Sequence, residues 1–127
     1  MTSQTIEAKF EIVDWNEAPY DEPADGPKLV RITISKRYCG AVEGTGVAEV
    51  LAVQGAEGSG YVASERVVGS LSGRAGTFVI QHGGLADSAN LSTFGTIVPR
   101  SGTGDLTGIT GRATEAAQGV LTLEYDI

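Results

Sequence analysis

The sequence is short of the residue types from which metal centres, disulfides and many hydrolytic sites are built. Its 127 residues include one cysteine, Cys39, and one histidine, His82. A single thiol excludes an intramolecular disulfide and a thiolate metal cluster. One histidine is fewer than the two of a facial-triad iron site, and no GxSxG motif is present to supply a serine nucleophile. We therefore expect no metal and no cofactor.

Basic charge is also scarce. Nine lysines and arginines stand against 16 acidic residues, which gives a formal net charge of −7. Nucleic-acid phosphates and anionic membranes both require a basic face, so neither is expected as a partner. The acidic residues Glu17, Asp21, Glu22 and Asp25 lack the spacing of an EF-hand, which favours a solvated loop over a calcium site.

Long apolar or helix-forming runs are missing too. No run approaches the ~18 apolar residues of a membrane-spanning helix. The first residues, MTSQTIEAKF, lack the basic and apolar regions of a signal peptide, so we expect a cytoplasmic protein. Abundant glycine (18 residues) and frequent β-branched residues instead predict an all-β protein, with one domain over residues 1–127.

The central feature is a predicted hairpin over residues 60–83, GYVASERVVGSLSGRAGTFVIQHG, with its turn at Ser72-Gly73. This turn pairs Glu65 with Ile80 and Ala63 with His82. Because strand side chains alternate between faces, one face is mostly apolar. It carries Tyr61, Ala63, Glu65, Val67, Phe78, Ile80 and His82. We expect this face to be interior, and to take Glu65 and His82 inside with it.

The rest of the chain also alternates in short segments. Further strands are predicted at 5–15, 29–39, 45–54, 91–98 and 119–126, loops at 16–28 and 83–90, tight turns within 101–111 and one helical turn at 114–118. Pairing of the last strand with the first predicts a small closed antiparallel β-barrel of about eight strands, with an open β-sandwich as the alternative. The strand at 45–54 leaves its orientation open, because a crowded interior also accepts its small-residue face.

Neighbouring strands are predicted to align ionisable groups in one interior row. Registers whose residue numbers sum to 85 and 114 place Glu49 between Lys36 and Glu65, with His82 diagonal to Glu65. Two carboxylates in an apolar lining are not easily both ionised. Either Lys36 neutralises one of them or one of them holds a proton. A carboxyl that stays protonated can act as a general acid, with the other carboxylate or His82 as the base. We predict Glu65, His82 and Glu49 as catalytic residues; the alternative is a structural ion pair between Lys36 and Glu49.

The same region supplies the predicted ligand contacts. The ligand-binding residues are Lys36, Tyr38, Tyr61, Phe78, Ile80 and Gln81, although the predicted register places Gln81 on the other face. Acid–base groups in a dry pocket suit cofactor-independent isomerisation or cyclisation of an apolar or amphipathic small molecule. Two other functions remain open: a non-catalytic carrier of a hydrophobic ligand, and a structural protein that self-associates through its outer faces.

Four runs carry a resemblance to a known family. The runs ERVVGSLSGRAGTFVIQHGG, IVPRSGTGDLTGITGRA, DWNEAPYDE and LTLEYDI resemble a bacterial family of unknown function. Its small antiparallel barrel is similar to that of plant allene oxide cyclase. The resemblance implies the same barrel fold, cyclase-like chemistry on an apolar molecule inside the barrel, and assembly as a homodimer or homotrimer. It assigns no catalytic residue, because those of the plant enzyme have no matching positions here.

Overall fold

The computed structural model describes residues 3–127, apart from the side chain of residue 116. It consists of antiparallel strands joined by short turns. The strands are β1 (Gln4–Asp21), β2 (Lys28–Gly40), β3 (Val42–Gln54), β4 (Gly58–Leu71), β5 (Arg74–Asp87), β6 (Leu91–Ile97), β7 (Thr103–Gly104), β8 (Thr110–Ala117) and β9 (Val120–Asp126). No helix long and apolar enough to cross a membrane occurs in the described residues.

The sheet closes on itself. Its order is β4-β3-β2-β1-β9-β8-β6-β5, and β4 also pairs with β5, so eight strands form a ring and the short β7 attaches to β5. The last strand pairs with the first, from Gln4 opposite Tyr125 to Lys9 opposite Val120. The all-β fold and the closed antiparallel arrangement predicted from the sequence are confirmed. The open sandwich is not adopted.

The central hairpin has the predicted register. Ser72 and Gly73 both have positive φ, which a tight turn between twisted strands requires, and Glu65 lies opposite Ile80 and Ala63 opposite His82. The face of this hairpin that is predicted to point inward does so in the structure. Its buried residues are Ala63, Glu65, Val67, Phe78 and Ile80.

The two predicted registers on either side of β3 are wrong. Lys36 pairs with Gly46 rather than Glu49, and Glu65 pairs with Ala48. Each shift is an odd number of residues, so β3 presents its opposite face to the interior. The small residues line the inside because they leave space there for the larger side chains of neighbouring strands, and Glu49 points outward.

Three segments extend further as strands than the sequence predicts. β1 continues to Asp21 instead of ending at Trp15, and it pairs with β2 from Ala8 onward, with irregularities at Val13 and Tyr20. Pro19 is tolerated because β1 is an edge strand here, where a missing donor breaks no second ladder. The expected loop 83–90 is largely the end of β5, and the expected helical turn 114–118 is part of β8.

The interior has one packed half and one hollow half. The packed half is closed by Leu106 and Ile109, from the turn between β7 and β8, and contains the largest buried apolar side chains. The hollow half is lined by smaller groups. These are Val30, Ile32, Ala48, Val50, Ala52 and Ala63, with Ile34 and Tyr61 packed against them.

Candidate functional site

A buried ion pair marks the boundary between the two halves. Lys36 Nζ on β2 donates a hydrogen bond of 2.9 Å to Glu65 Oε1 on β4. Tyr38 Oη donates one of 2.5 Å to Glu65 Oε2. Glu65 is 1% exposed and Lys36 8% exposed. The Lys36 ammonium also lies 4.4 Å from the centroid of the Phe10 ring, a cation–π contact.

Gly46 makes this arrangement sterically possible. It lies on β3, opposite Lys36 and between the two strands that carry the ion pair. A Cβ atom at Gly46 would be 2.5 Å from Glu65 Oε2 and 2.8 Å from Tyr38 Cε2. The absence of a side chain therefore lets Lys36 and Tyr38 reach across β3 to the carboxylate.

His82 and Tyr61 continue the polar group toward the cavity. His82 Nε2 is 3.4 Å from Glu65 Oε1, and this buried nitrogen has no well-formed hydrogen bond among the described residues. Its other ring nitrogen, Nδ1, is 3.3 Å from Tyr61 Oη. In the tautomer that carries its proton on Nε2, facing Glu65, Nδ1 is an acceptor for the Tyr61 hydroxyl.

The electrostatics keep the carboxylate of Glu65 ionised. Burial raises the pKa of Glu65, but the neighbouring His82, Lys36 and Tyr38 outweigh it and hold this pKa at about 2. Burial, and then the charge of Glu65, raises the pKa of Tyr38, which stays a neutral donor. Burial and the charges of Glu115 and Glu65 raise the pKa of Tyr61 likewise.

The polar group forms the floor of a cavity of about 480 Å³. The walls are mainly apolar and the floor presents Lys36, Tyr61 and His82. Ile12 and Trp15 of β1 and Leu91 of β6 lie around its mouth. The cavity thus combines an apolar volume with hydrogen-bonding groups at one end.

The strand pairing explains why the cavity opens sideways. Backbone bonding of β1 to the β8–β9 hairpin ends at Phe10, although β1 continues to Asp21. On the other side, β6 and β8 pair only at Thr96–Arg112 and Ile97–Gly111. The wall is therefore incomplete between the far half of β1 and β6, above the tip of the β8–β9 hairpin.

Comparison with known proteins places the chain in a family. Residues 6–127 match the family model described as "Protein of unknown function (DUF3224)". The chain belongs to the DUF3224 family. It is similar to a crystal structure of a DUF3224 protein of unknown function from Shewanella oneidensis MR-1, with 32% sequence identity and a TM-score of 0.79. The match covers 98% of this chain and 95% of the other. No curated protein matches the sequence.

The family confirms the resemblance in part. The runs quoted from the sequence identify a bacterial family of unknown function, and the DUF3224 match is such a family. The likeness of its ring to the barrel of allene oxide cyclase is not confirmed by these comparisons and stays a prediction.

The DUF3224 chain brings together four of the residues predicted from the sequence. Glu65, His82, Lys36 and Tyr61 meet at the cavity floor. Glu49 does not join them: it lies on the outer surface, where Arg31 Nη2 is 3.2 Å and Thr33 Oγ1 is 3.0 Å from its Oε1. The predicted interior row is therefore wrong at Glu49, and so is the alternative ion pair between Lys36 and Glu49. Of the two ways to accommodate a buried carboxylate, the structure favours neutralisation by Lys36, whose Nζ lies 2.9 Å from Glu65 Oε1.

The other predicted ligand contacts lie away from the cavity. Phe78 and Ile80 are 2% and 0% exposed in the packed half. Gln81 points outward, where its Nε2 donates to Ser64 Oγ. Tyr38 is 2% exposed and is occupied by Glu65, which makes it a positioning residue for the carboxylate.

Sequence reasoning missed several residues of the DUF3224 site. Three of them line the cavity: Phe10, Trp15 and Glu115. The fourth is Gly46, whose lack of a side chain leaves room for the Lys36–Glu65 ion pair. Alternation in 5–15 does place Phe10 on one face with Ala8 and Ile12, but the bulge at Val13 that turns Trp15 inward leaves no sequence signal. Glu115 fell within the segment expected to be helical. Among residues 3–127, no three His, Cys, Asp or Glu side chains are grouped to hold a metal ion.

Proposed function

We propose that this chain binds one apolar or amphipathic small molecule in the hollow half of the ring. The observation that carries this proposal is the cavity of about 480 Å³, apolar along its walls and polar at its floor. Ligand pockets typically enclose roughly 300–1,000 Å³ with a few convergent polar groups. Three small wall residues, Ala48, Ala52 and Gly84, keep the volume open.

Filling the cavity tests this proposal. Ala52→Phe adds a ring from the inner face of β3, whereas Thr45→Phe places a ring on the outer face of the same strand. We expect the neutral dye Nile red to bind the wild type and Thr45→Phe alike, with binding lost in Ala52→Phe. Equal dye binding by all three folded proteins would contradict a ligand in this cavity.

Proton transfer in the cavity is the second candidate function. The observation that favours it is the buried Nε2 of His82, which lacks a well-formed hydrogen bond while Nδ1 contacts the Tyr61 hydroxyl. The Tyr61 oxygen would take a proton from a bound molecule while its hydroxyl proton moves to His82 Nδ1, and the resulting imidazolium would be stabilised by Glu65. Isomerase or cyclase chemistry would then use His82 and Tyr61, with Glu65 orienting the imidazole.

Deuterium exchange tests proton transfer without knowledge of the natural substrate. In D₂O, the wild type should accelerate exchange of the α-protons of methyl octyl ketone, measured by proton NMR. His82→Asn should abolish the acceleration. An exchange rate equal to that of buffer alone, with the ketone bound, would leave only the binding function.

We also propose that the chain self-associates as a dimer or trimer through the outer face of β3–β6. Seven large apolar side chains are exposed on this outer face: Val47, Leu51, Val53, Val62, Val68, Leu85 and Phe94. Five of them, Leu51, Val53, Val62, Leu85 and Phe94, lie in two adjacent rows across the paired strands. Exposed apolar surface of this kind usually marks an interaction site. The charged residues among or beside them include the cations Arg31 and Arg66 as well as the acids Glu43, Glu49 and Asp87, so the two cations offset part of the acidic charge here.

A further inference from the structure

The cavity floor offers hydrogen-bond donors to a bound molecule. Glu65 and Tyr38 are 1% and 2% exposed and are occupied by each other, so a ligand does not reach them. Lys36 does line the cavity. Its ammonium carries three N–H groups, and one of them donates to Glu65. The other N–H groups of Lys36 can donate to a bound molecule, so we expect the ligand to carry a hydrogen-bond acceptor at this end.

The charge at the floor is already balanced. Among the described residues that line the cavity, Lys36 is the only lysine or arginine. Its charge is neutralised by the ionised Glu65, whose Oε1 lies 2.9 Å from Lys36 Nζ. Glu115 adds a second carboxyl group at the side of the cavity. A ligand carboxylate would be a further anion facing a single ammonium that is already paired, with its own hydration lost to apolar walls.

We propose that the polar group of the bound molecule is a neutral hydrogen-bond acceptor, such as a ketone or amide carbonyl, and that carboxylates are discriminated against. This inference rests on the proposed binding function. The carbonyl oxygen accepts a hydrogen bond from the Lys36 ammonium, and the apolar remainder of the ligand lies against Ile32, Ile34 and Val50 on the walls. The ion pair with Glu65 stays intact, so Lys36 acts as a donor whose net charge is cancelled.

Three probes of matched length test the proposal on the wild type: methyl octyl ketone, decanoate and decane, each titrated near pH 8 and followed by NMR. We expect the ketone to bind at least about tenfold more tightly than decanoate, and also more tightly than decane, because only the ketone satisfies the donor without adding charge. Decanoate binding as tightly as the ketone would overturn the inference, and so would decane binding equally well. If all three fail while Nile red binds, the inference is overturned and the binding function stands. If Nile red also fails, both are overturned.

A charge variant should weaken or abolish the preference for the ketone. Glu65→Gln leaves the Lys36 ammonium uncompensated, so decanoate should gain at least about tenfold relative to the ketone. Glu11→Gln is the control, since it removes the same charge from an exposed pair with Arg37 and should leave the preference unchanged. An unchanged preference in folded Glu65→Gln would overturn the charge argument. If that variant does not fold, the comparison of probes on the wild type decides alone.

Discussion

Lys36 on β2 and Glu65 on β4 form an ion pair across an intervening strand, with Nζ 2.9 Å from Oε1. The strand between them, β3, contributes Gly46 at the crossing point. The pair lies where the packed half of the ring meets the hollow half, so it belongs both to the core and to the cavity floor. Its effects on stability and on binding are therefore separable by substitutions at and around it.

The first prediction concerns Gly46. Gly46→Ala places a Cβ atom 2.5 Å from Glu65 Oε2, and relieving such overpacking typically costs about 1–3 kcal/mol of folding stability. Gly58→Ala is the matched control in the neighbouring strand β4, because its Cβ would meet its nearest neighbour at 3.5 Å. Urea unfolding should show a clear loss for the first variant and little change for the second. Equal stabilities would mean that the floor is loosely packed.

The second prediction compares two glutamates that the sequence alone places in one row. Glu65→Gln leaves Lys36 buried without a countercharge, and breaking a buried pair in this way costs about 3–5 kcal/mol. Glu49→Gln removes one partner of an exposed pair, which contributes only about 0–1 kcal/mol. Chemical denaturation of both variants measures the difference. A loss at Glu49 as large as that at Glu65 would contradict the register of β3.

The third prediction is a pH dependence with a definite sign. The pKa of Glu65 is lowered on folding from an ordinary value of 4.5 to about 2. A lowered pKa adds stability that is fully present above about pH 4.5 and is lost as the pH falls toward 2. A shift of this size corresponds to about 3 kcal/mol. Denaturation at neutral pH and near pH 3 should therefore show a smaller acid-induced loss for Glu65→Gln than for the wild type, whereas parallel losses would show that Glu65 is not the titrating group.

The fourth prediction concerns the outer face of β3–β6. Val62→Asp places a charge at the centre of the exposed apolar group and should shift the dimer or trimer to monomer, because a buried unpaired carboxylate opposes association. Val13→Asp changes an equally half-exposed valine on β1, outside this face. Sedimentation velocity distinguishes the species. A monomeric wild type, or dissociation by both variants, would contradict the proposed interface.

The sequence predicts the closed antiparallel fold and the register of one hairpin, but it does not predict the registers around β3. The turn at Ser72-Gly73 is tight, so two residues determine the pairing of Glu65 with Ile80. The pairing of β2 with β3 ends at Tyr38 and Gly44, and that of β3 with β4 ends at Gln54 and Ser59, so more residues intervene than in the central hairpin. An error of one residue in either connection turns the opposite face of β3 inward. Both faces of β3 are plausible interiors by composition. What decides between them is the steric need for Gly46 beneath the Lys36–Glu65 pair, which is a tertiary relationship.

The same reasoning explains which site residues the sequence could predict. Glu65, His82 and Tyr61 follow from alternation within one well-defined hairpin. Trp15 reaches the mouth of the cavity because of the bulge at Val13. Glu115 reaches the cavity because β8 is an extended strand paired with β9, an arrangement set by the closure of the ring. Neither feature has a local signature.

Native mass spectrometry of the purified protein tests the central claim, a ligand in the hollow half, most directly. Spectra of wild type and Ala52→Phe are recorded under native and denaturing conditions, with methyl octyl ketone added where no molecule co-purifies. We predict one small molecule bound per wild-type chain, released on denaturation, and none bound to the variant. A wild-type protein that carries no ligand and gains no mass with the ketone, or a ligand retained equally by Ala52→Phe, would contradict the claim.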